Sequence, residues 1–410
     1  MILLTLVILS LIVSRAYTKN LRLSVKNAPR TDSSGAKPSL ERARKVSVIV
    51  PAYNEAENIR DCAIAILEST APSVDNLEVL IVDDRSTDDT LAIAQTLQQQ
   101  LNDPRLKILA GQPRPANQYW AGKNWACAQA FRETTGDFLL FIDADVRLKP
   151  GAIETAISTA ETEKIDLLTC MPALVCDCLA EWLVQPLMFN HLAVCFDFTA
   201  VNDPTTDSAF AAGPFMLFRR SAYDKIGGHA AVASEIVEDV ELARRIKRAG
   251  LKLALYAGLN LASVRMYRSW SALWEGWTKN LYLGANRSWG MMIYMAAIMF
   301  FLYPMPWLAL GILLANGDFA EILAISNYQL PITNYQLPIT LLTICLSAIV
   351  IWQQYNLRSL GAQISDCSTK YWWLGGLGGA LIAAIAIGSA IKTETGWGWT
   401  WRGRALQINN

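Results

Sequence analysis

Hydrophobic and polar positions divide this chain into three regimes. An apolar run of about 13 residues opens it, residues 45–285 alternate short apolar segments with stretches of helical spacing, and three long uncharged runs follow. The opening run is shorter than the ~20 residues of a full span and predicts an N-terminal membrane anchor over 1–14. A secretory signal would carry its positive charge before such a run. Here the charge comes after it, with nine Lys or Arg against two Asp or Glu between Arg15 and Lys45. That asymmetry places the following segment in the cytoplasm. Residues 15–44, with Ser33, Ser34, Gly35 and Pro38, read as a basic linker.

Residues 288–317, 322–357 and 371–391 contain no Asp, Glu, Lys or Arg. Within them, 291–317, 332–352 and 373–391 each reach the length of a membrane span, so 286–395 is expected to cross about three times. Trp372, Trp373, Trp397, Trp399 and Trp401 flank them as an interfacial belt. Pro304 and Pro306 predict a kink or a split in the first run. The tandem Asn-Tyr-Gln-Leu-Pro-Ile-Thr at 327–333 and 334–340 reads as a duplicated loop. Three crossings would leave the basic tail, 396–410, outside. Its Arg402 and Arg404, with Lys392, argue for the inside, and the pattern alone does not reconcile the two.

Between the membrane segments, residues 46–50, 78–82 and 137–142 are short apolar strands ended by Pro51, by Asp83 and Asp84, and by Asp143-Ala-Asp145. Capping residues open the intervening helices: Asn54 and Glu55 before 56–69, and Ser86 to Asp89 before 90–101. The class is α/β. Composition narrows the partners. The 36 basic and 36 acidic side chains cancel, which gives no reason to expect nucleic acid, and 52% apolar with 18% charged residues excludes disorder and a fully soluble protein. Eight unevenly spaced cysteines make no disulfide framework, and Cys176 with Cys178 lacks a second pair at zinc spacing.

Ligands of open α/β sheets bind at the carboxyl ends of strands, where these carboxylates fall. Asp143 and Asp145, two apart, can point to one face and become a Mg2+ or Mn2+ site when a diphosphate completes the coordination. Asp83 and Asp84 at the next tip suit a ribose or nucleobase edge, or a cap for the next helix. Together they suggest a nucleotide diphosphate lying across the sheet. Asp239 precedes a helical stretch, 240–248, and a helix N-terminus favours an ionised carboxylate. Such a group can take the proton of an acceptor hydroxyl. His229 and His191 read as structural.

Four ordered motifs carry a specific resemblance: Val-Ile-Val-Pro-Ala-Tyr-Asn-Glu at 48–55, Val-Asp-Asp-Arg-Ser-Thr-Asp-Asp-Thr at 82–90, Phe-Ile-Asp-Ala-Asp at 141–145, and Glu238-Asp239. Over roughly 45–250 the chain resembles the family 2 inverting glycosyltransferases. The resemblance implies a nucleotide-sugar-binding, GT-A-like and Rossmann-like sheet domain over 45–285, between an N-terminal anchor and C-terminal transmembrane helices. It implies contacts to a UDP- or GDP-sugar from Pro51, Tyr53, Glu55, Asp83, Asp84, Asp143 and Glu238, a Mg2+ or Mn2+ ion held at Asp143 and Asp145, and Asp239 as general base. Lys123 in Gly-Lys-Asn-Trp-Ala, 122–126, is placed at the phosphates. Arg265 and Arg268 are placed over the diphosphate or the acceptor, with Arg268 preferred, and for all three basic residues a solvated or lipid-headgroup role stays open.

Those stretches, with 213–219, 276–280 and Trp401-Arg-Gly-Arg404, resemble the membrane-bound branch tied to hopanoid and carotenoid pathways. Processive relatives carry Gln-x-x-Arg-Trp after the base. The equivalent here, Arg265-Met-Tyr-Arg268-Ser-Trp270, departs from it and favours transfer of one sugar. The expected activity is transfer to the hydroxyl of a lipid, a carotenoid or hopanoid, by an integral protein of the cytoplasmic or thylakoid membrane. Trp274, Trp277 and Leu281, at helical spacing, suggest an interfacial helix guiding that acceptor or an aromatic belt without selectivity. A polyprenyl phosphate acceptor, a processive polysaccharide synthase and a non-catalytic scaffold subunit stay open as alternatives.

Overall fold

A computed structural model describes residues 1–31, 44–70, 76–316, 336–397 and 400–405. The chain begins with α1 (Ile2–Asn27), then β1 (Val46–Ala52), α2 (Ile59–Glu68), β2 (Leu77–Asp83), α3 (Thr90–Leu101), β3 (Leu106–Ala110) and α4 (Gly122–Arg132). It continues through β4 (Phe138–Phe141), β5 (Val146–Leu148), α5 (Ala152–Thr162), β6 (Leu167–Leu174), α6 (Leu179–Cys195), α7 (Phe198–Asn202), β7 (Met216–Arg219), α8 (Arg220–Lys225), α9 (Glu238–Arg248) and β8 (Leu253–Val264). The closing elements are α10 (Trp270–Gly284), α11 (Trp289–Leu302), α12 (Pro304–Ala315), α13 (Gln336–Ser365), α14 (Gly375–Thr395), β9 (Thr400–Trp401) and β10 (Arg404–Ala405). The second expected helix starts at Ile59 rather than at 56.

The eight strands β1–β8 form one mixed sheet, in the order β3-β2-β1-β4-β7-β6-β8-β5. The first four are parallel, and β7 runs antiparallel to both β4 and β6. Both faces are covered, as parallel strands require. Along β1, Val46, Val48 and Val50 join one core while Ile49 joins the other, the alternation of a pleated strand. The register sets Ala52 beside Asp83 and Ile49 beside Phe141, so the carboxyl ends of β1, β2 and β4 share one edge.

The membrane-facing part differs from expectation at several points. The first helix runs to Asn27, nearly double the expected anchor, and takes in half of the expected linker. Tyr17, Leu21, Ser24 and Val25 recur at helical spacing and are buried, while Arg15, Lys19, Arg22 and Lys26 face outward. Ser24 Oγ donates to the Ala193 carbonyl at 2.6 Å, which docks this half of α1 on the catalytic domain. The split at Pro304 is present, with α11 and α12 bent by 50°. The second run extends to Ser365 as α13. The first heptapeptide copy and the start of the second lie outside the described residues. Gln336 to Thr340 opens a helix rather than a loop. Helices Ile2–Asn27, Leu337–Ser365 and Trp372–Thr395 are long and apolar enough to cross a membrane, and the bent pair brings the number to as many as four.

Helices α1 and α13 run side by side in the same direction. Ser14 meets Gln353 at 2.5 Å, and Arg30 meets the Gln363 carbonyl at 3.0 Å. By contrast, α14 is tied to the catalytic domain along its length. Its first turns press on the Leu183 carbonyl of α6, and Ser389 Oγ, near its end, donates to the Thr278 carbonyl of α10 at 2.6 Å. The Trp274–Trp277 face of α10 is therefore not an open interfacial surface. Trp277 is buried and donates to Gln185 at 2.9 Å, and Trp274 lies against Gly388.

Candidate active site

A cavity of about 650 Å³ opens at the shared strand edge, within the size range of small-molecule sites. Pro51, Tyr53, Glu55, Asp84, Lys123, Asp143, Asp145, Glu238 and Asp239 all line it. Strand ends supply the first group: β1 leads into Tyr53 and Glu55, β2 into Asp84, and β4 into Asp143 and Asp145. Two of these turns hold left-handed residues, Asn54 at φ 54 and Arg85 at φ 61. Asn54 Oδ1 accepts from the Thr87 amide at 2.9 Å, which braces the first turn against the second.

Lys123, in the first turn of α4, sits at the centre. Its Nζ lies 2.7 Å from Asp143 Oδ1 and 2.8 Å from Glu238 Oε1. Burial alone would lower its pKa, but Asp143, Glu238 and Asp239 outweigh that and hold the ammonium well above the ordinary lysine range. The next residue, Asn124, is buried. Its Nδ2 donates to the carbonyls of Val232 at 2.7 Å and Glu235 at 2.8 Å, fixing α4 to the loop that delivers Glu238 and Asp239.

Asp239 stands in the first turn of α9, where Oδ2 accepts from the Gly213 amide at 2.9 Å and Oδ1 from the Val240 amide at 2.8 Å. The helix end is not the largest influence on its charge. Burial, followed by the charge of Glu238, outweighs Lys123 and both amides and raises its pKa to about 7. Glycine at 213 leaves room for the side-chain tips of Asp239 and Lys123. A Cβ there would lie 3.0 Å from Asp239 Oδ2 and 3.1 Å from Lys123 Nζ.

Among the described residues no cluster of three or more His, Cys, Asp or Glu is arranged to hold a metal unaided. Asp143 and Asp145 nevertheless fit one that a diphosphate helps to bind. Oδ1 of Asp145 is buried without a hydrogen-bond partner among the described residues. Burial, then the charges of Asp143 and Glu55, raises the Asp145 pKa well above the carboxylate range, as expected of a site short of positive charge. Both groups are hard oxygen donors of the kind Mg2+ and Mn2+ prefer.

Three expected residues lie elsewhere. Asp83 is buried behind the turn, its Oδ2 accepting from the Ser86 amide at 3.1 Å, and acts as a turn brace. Arg268 donates to Asn58 Oδ1 at 2.6 Å and faces Glu57, outside the cavity. Arg265 pairs with Glu181 at 3.0 Å and Asp177 at 3.2 Å. His229 is fully buried against Tyr223, its Nδ1 2.7 Å from the phenol oxygen. His191 is buried within α6. Cys176 lies 3.7 Å from Cys367.

The sequence reading missed Arg114, Tyr267, Lys279, Trp401, Arg402 and Arg404, all of which line the cavity. Arg114 reaches Asp84 at 3.0 Å. Lys279 lies over the Trp401 ring, 3.9 Å from its centroid, and burial pulls its pKa down to about 8. Tyr267 holds a left-handed backbone at φ 59 beside Trp401. Segments 276–280 and 401–404 stood out as motifs, but nothing local assigned them to the pocket.

Comparison with known proteins agrees with this geometry. Residues 47–227 match the family model Glycosyl transferase family 2, and residues 138–376 match Glycosyl transferase family group 2. A 4,4'-diaponeurosporenoate glycosyltransferase from Staphylococcus haemolyticus is 30% identical over 257 residues, 60% of this chain and 63% of that protein. The Staphylococcus aureus protein of the same name is 28% identical over 252 residues, 59% and 62% of the two chains. The matches thus span less than two thirds of these relatives. A mannosyltransferase from Pyrobaculum calidifontis, solved with GDP-Man and Mn2+, shares the fold with a TM-score of 0.52 at 16% identity, over 96% of this chain and 99% of its own.

Proposed function

Because the chain belongs to glycosyl transferase family 2, we propose that it moves a single sugar, with inversion, from a nucleotide-diphosphate donor to the hydroxyl of a membrane lipid of the carotenoid or hopanoid kind. One observation carries this reading. A buried carboxylate with its pKa near neutral, Asp239, shares a cavity with Asp143 and Asp145 across a single ammonium, Lys123. A base poised near the working pH is what deprotonation of an alcohol calls for. Asp239 takes the hydroxyl proton as the oxygen attacks the anomeric carbon. The bond to the diphosphate oxygen breaks on the opposite face, and a single displacement inverts the centre. Asp143 and Asp145 would hold a Mg2+ or Mn2+ ion, which when bound neutralises charge on the departing diphosphate. Asp84, at the end of β2, would contact the nucleoside.

The lipid acceptor rests on two supports. Apolar helices before and after the catalytic domain keep the site near a bilayer, with the domain on the cytoplasmic face by the charge asymmetry that follows α1. The relatives named above supply the carotenoid class.

Purified protein in lipid nanodiscs with Mn2+, offered UDP- and GDP-sugars and a carotenoid-rich lipid extract, should yield a lipid heavier by one hexose or deoxyhexose in mass spectrometry. Asp239→Asn should lower turnover by roughly 10²- to 10⁴-fold. Retained turnover would point instead to a polyprenyl phosphate, whose nucleophile is already ionised. Binding of nucleotide sugar with neither hydrolysis nor transfer would point to a scaffold.

A further inference from the structure

The last described residues fold back into the cavity. Thr400 to Ala405 form a hairpin in which Trp401 pairs with Arg404 around the two-residue turn Arg402-Gly403. Both turn residues have positive φ, 48 and 79, as the tight hairpin turn that matches strand twist demands. Glu275 of α10 anchors it, accepting from Thr400 Oγ1 at 2.5 Å and from the Arg402 amide at 3.1 Å. Its two guanidinium groups reach the strand ends. Arg402 pairs with Glu55 at 2.7 Å and donates to the Tyr53 carbonyl at 3.1 Å. Arg404 pairs with Asp84 at 2.5 Å, donates to the Asp84 carbonyl at 3.0 Å, and lies 3.8 Å over the Tyr53 ring.

We propose that this hairpin is the closing wall of the donor site, with Arg402 a ligand of the donor's diphosphate and Arg404 framing its nucleoside together with Tyr53. The proposal rests on the nucleotide-sugar reading above. Three observations carry it. The cavity keeps about 650 Å³ with the hairpin in place and both arginines line it, so the hairpin borders the space rather than filling it. Six carboxylates face five cations around the cavity, and two of the five cations belong to the hairpin. Without them a diphosphate would enter a markedly negative pocket, which costs affinity in a partly desolvated site. Finally, Arg404 grips the same Asp84 oxygen as Arg114, so one carboxylate holds two forked donors that suit phosphate and ribose oxygens.

The test uses the full-length protein in detergent. Calorimetric titration with UDP and with GDP in the presence of Mn2+ should give binding by the wild type to one of them. Arg402→Gln and Arg404→Gln should weaken it by roughly tenfold or more, about 1.4 kcal/mol per tenfold. In turnover, donor KM should rise while acceptor KM stays put. Unchanged affinity in both variants overturns the proposal, and so does tighter binding, which would make the hairpin a plug. Should the variants aggregate, the wild type decides: nucleotide with Mn2+ should slow carboxypeptidase removal of the tail, and undiminished digestion overturns the proposal. If the wild type binds and transfers while the variants match it, only the role of the hairpin falls. If the wild type binds no nucleotide at all, the glycosyl-transfer reading falls with it.

Discussion

Asp239 shows two influences on one carboxylate. A helix N-terminus and two amide hydrogen bonds favour its charge, yet burial and Glu238 prevail and set its pKa near 7. As a base it must be ionised, so kcat/KM should climb with pH and level off above about 7. A flat profile between pH 5 and 8 would remove it from that role. The linkage to stability has the opposite sign. With the folded-state pKa above the usual 3.8, the neutral group favours the fold. That contribution is complete below about pH 4 and is lost as pH rises through 7. Asp239→Asn should therefore gain in Tm relative to the wild type between pH 5 and pH 8, while kcat drops by roughly 10²- to 10⁴-fold. Gly213→Ala should lower kcat as well, because its Cβ crowds both Asp239 and Lys123.

At the scale of elements, the site depends on how α4 is fastened to the loop ahead of α9. Asn124 carries that joint through buried hydrogen bonds to backbone carbonyls. Asn124→Ala leaves those carbonyls unpaired and should destabilise the fold by about 1–3 kcal/mol, read as a lower midpoint in denaturant melts. Donor KM should rise with it, since Lys123 precedes Asn124 and loses its fixed position between Asp143 and Glu238. An unchanged melting midpoint would show that the joint is held by packing alone.

For the whole molecule, the hairpin decides where the tail lies. Its contacts with Glu275, Glu55 and Asp84 put residues 400–405 on the same membrane side as the catalytic domain. The basic tail residues accord with this placement, since α14 begins beside α6 and ends beside α10. An epitope at the C-terminus and one at the exposed Asn102 turn should be reached by antibody from the same face of sealed vesicles. Exposure on opposite faces would contradict the fold.

The strands β1, β2 and β4, the carboxylates at their ends, the Asp239 helix and the Pro304 break were legible in sequence, because each is set by neighbours a few residues away: apolar alternation, capping and the missing proline N–H. Apolar length likewise fixed which segments are membrane-compatible. Local pattern misassigned the second half of α1, where charge density hid an apolar stripe at helical spacing. The pairing of Arg265 with Glu181 and of Arg268 with Asn58 was not legible either, because it joins elements far apart in the chain. The pKa of Asp239, the joint at Asn124 and the return of Arg402 and Arg404 to the β1 and β2 ends come from contacts across as many as 349 residues. Charge and burial act through space, and only the folded chain sets those distances.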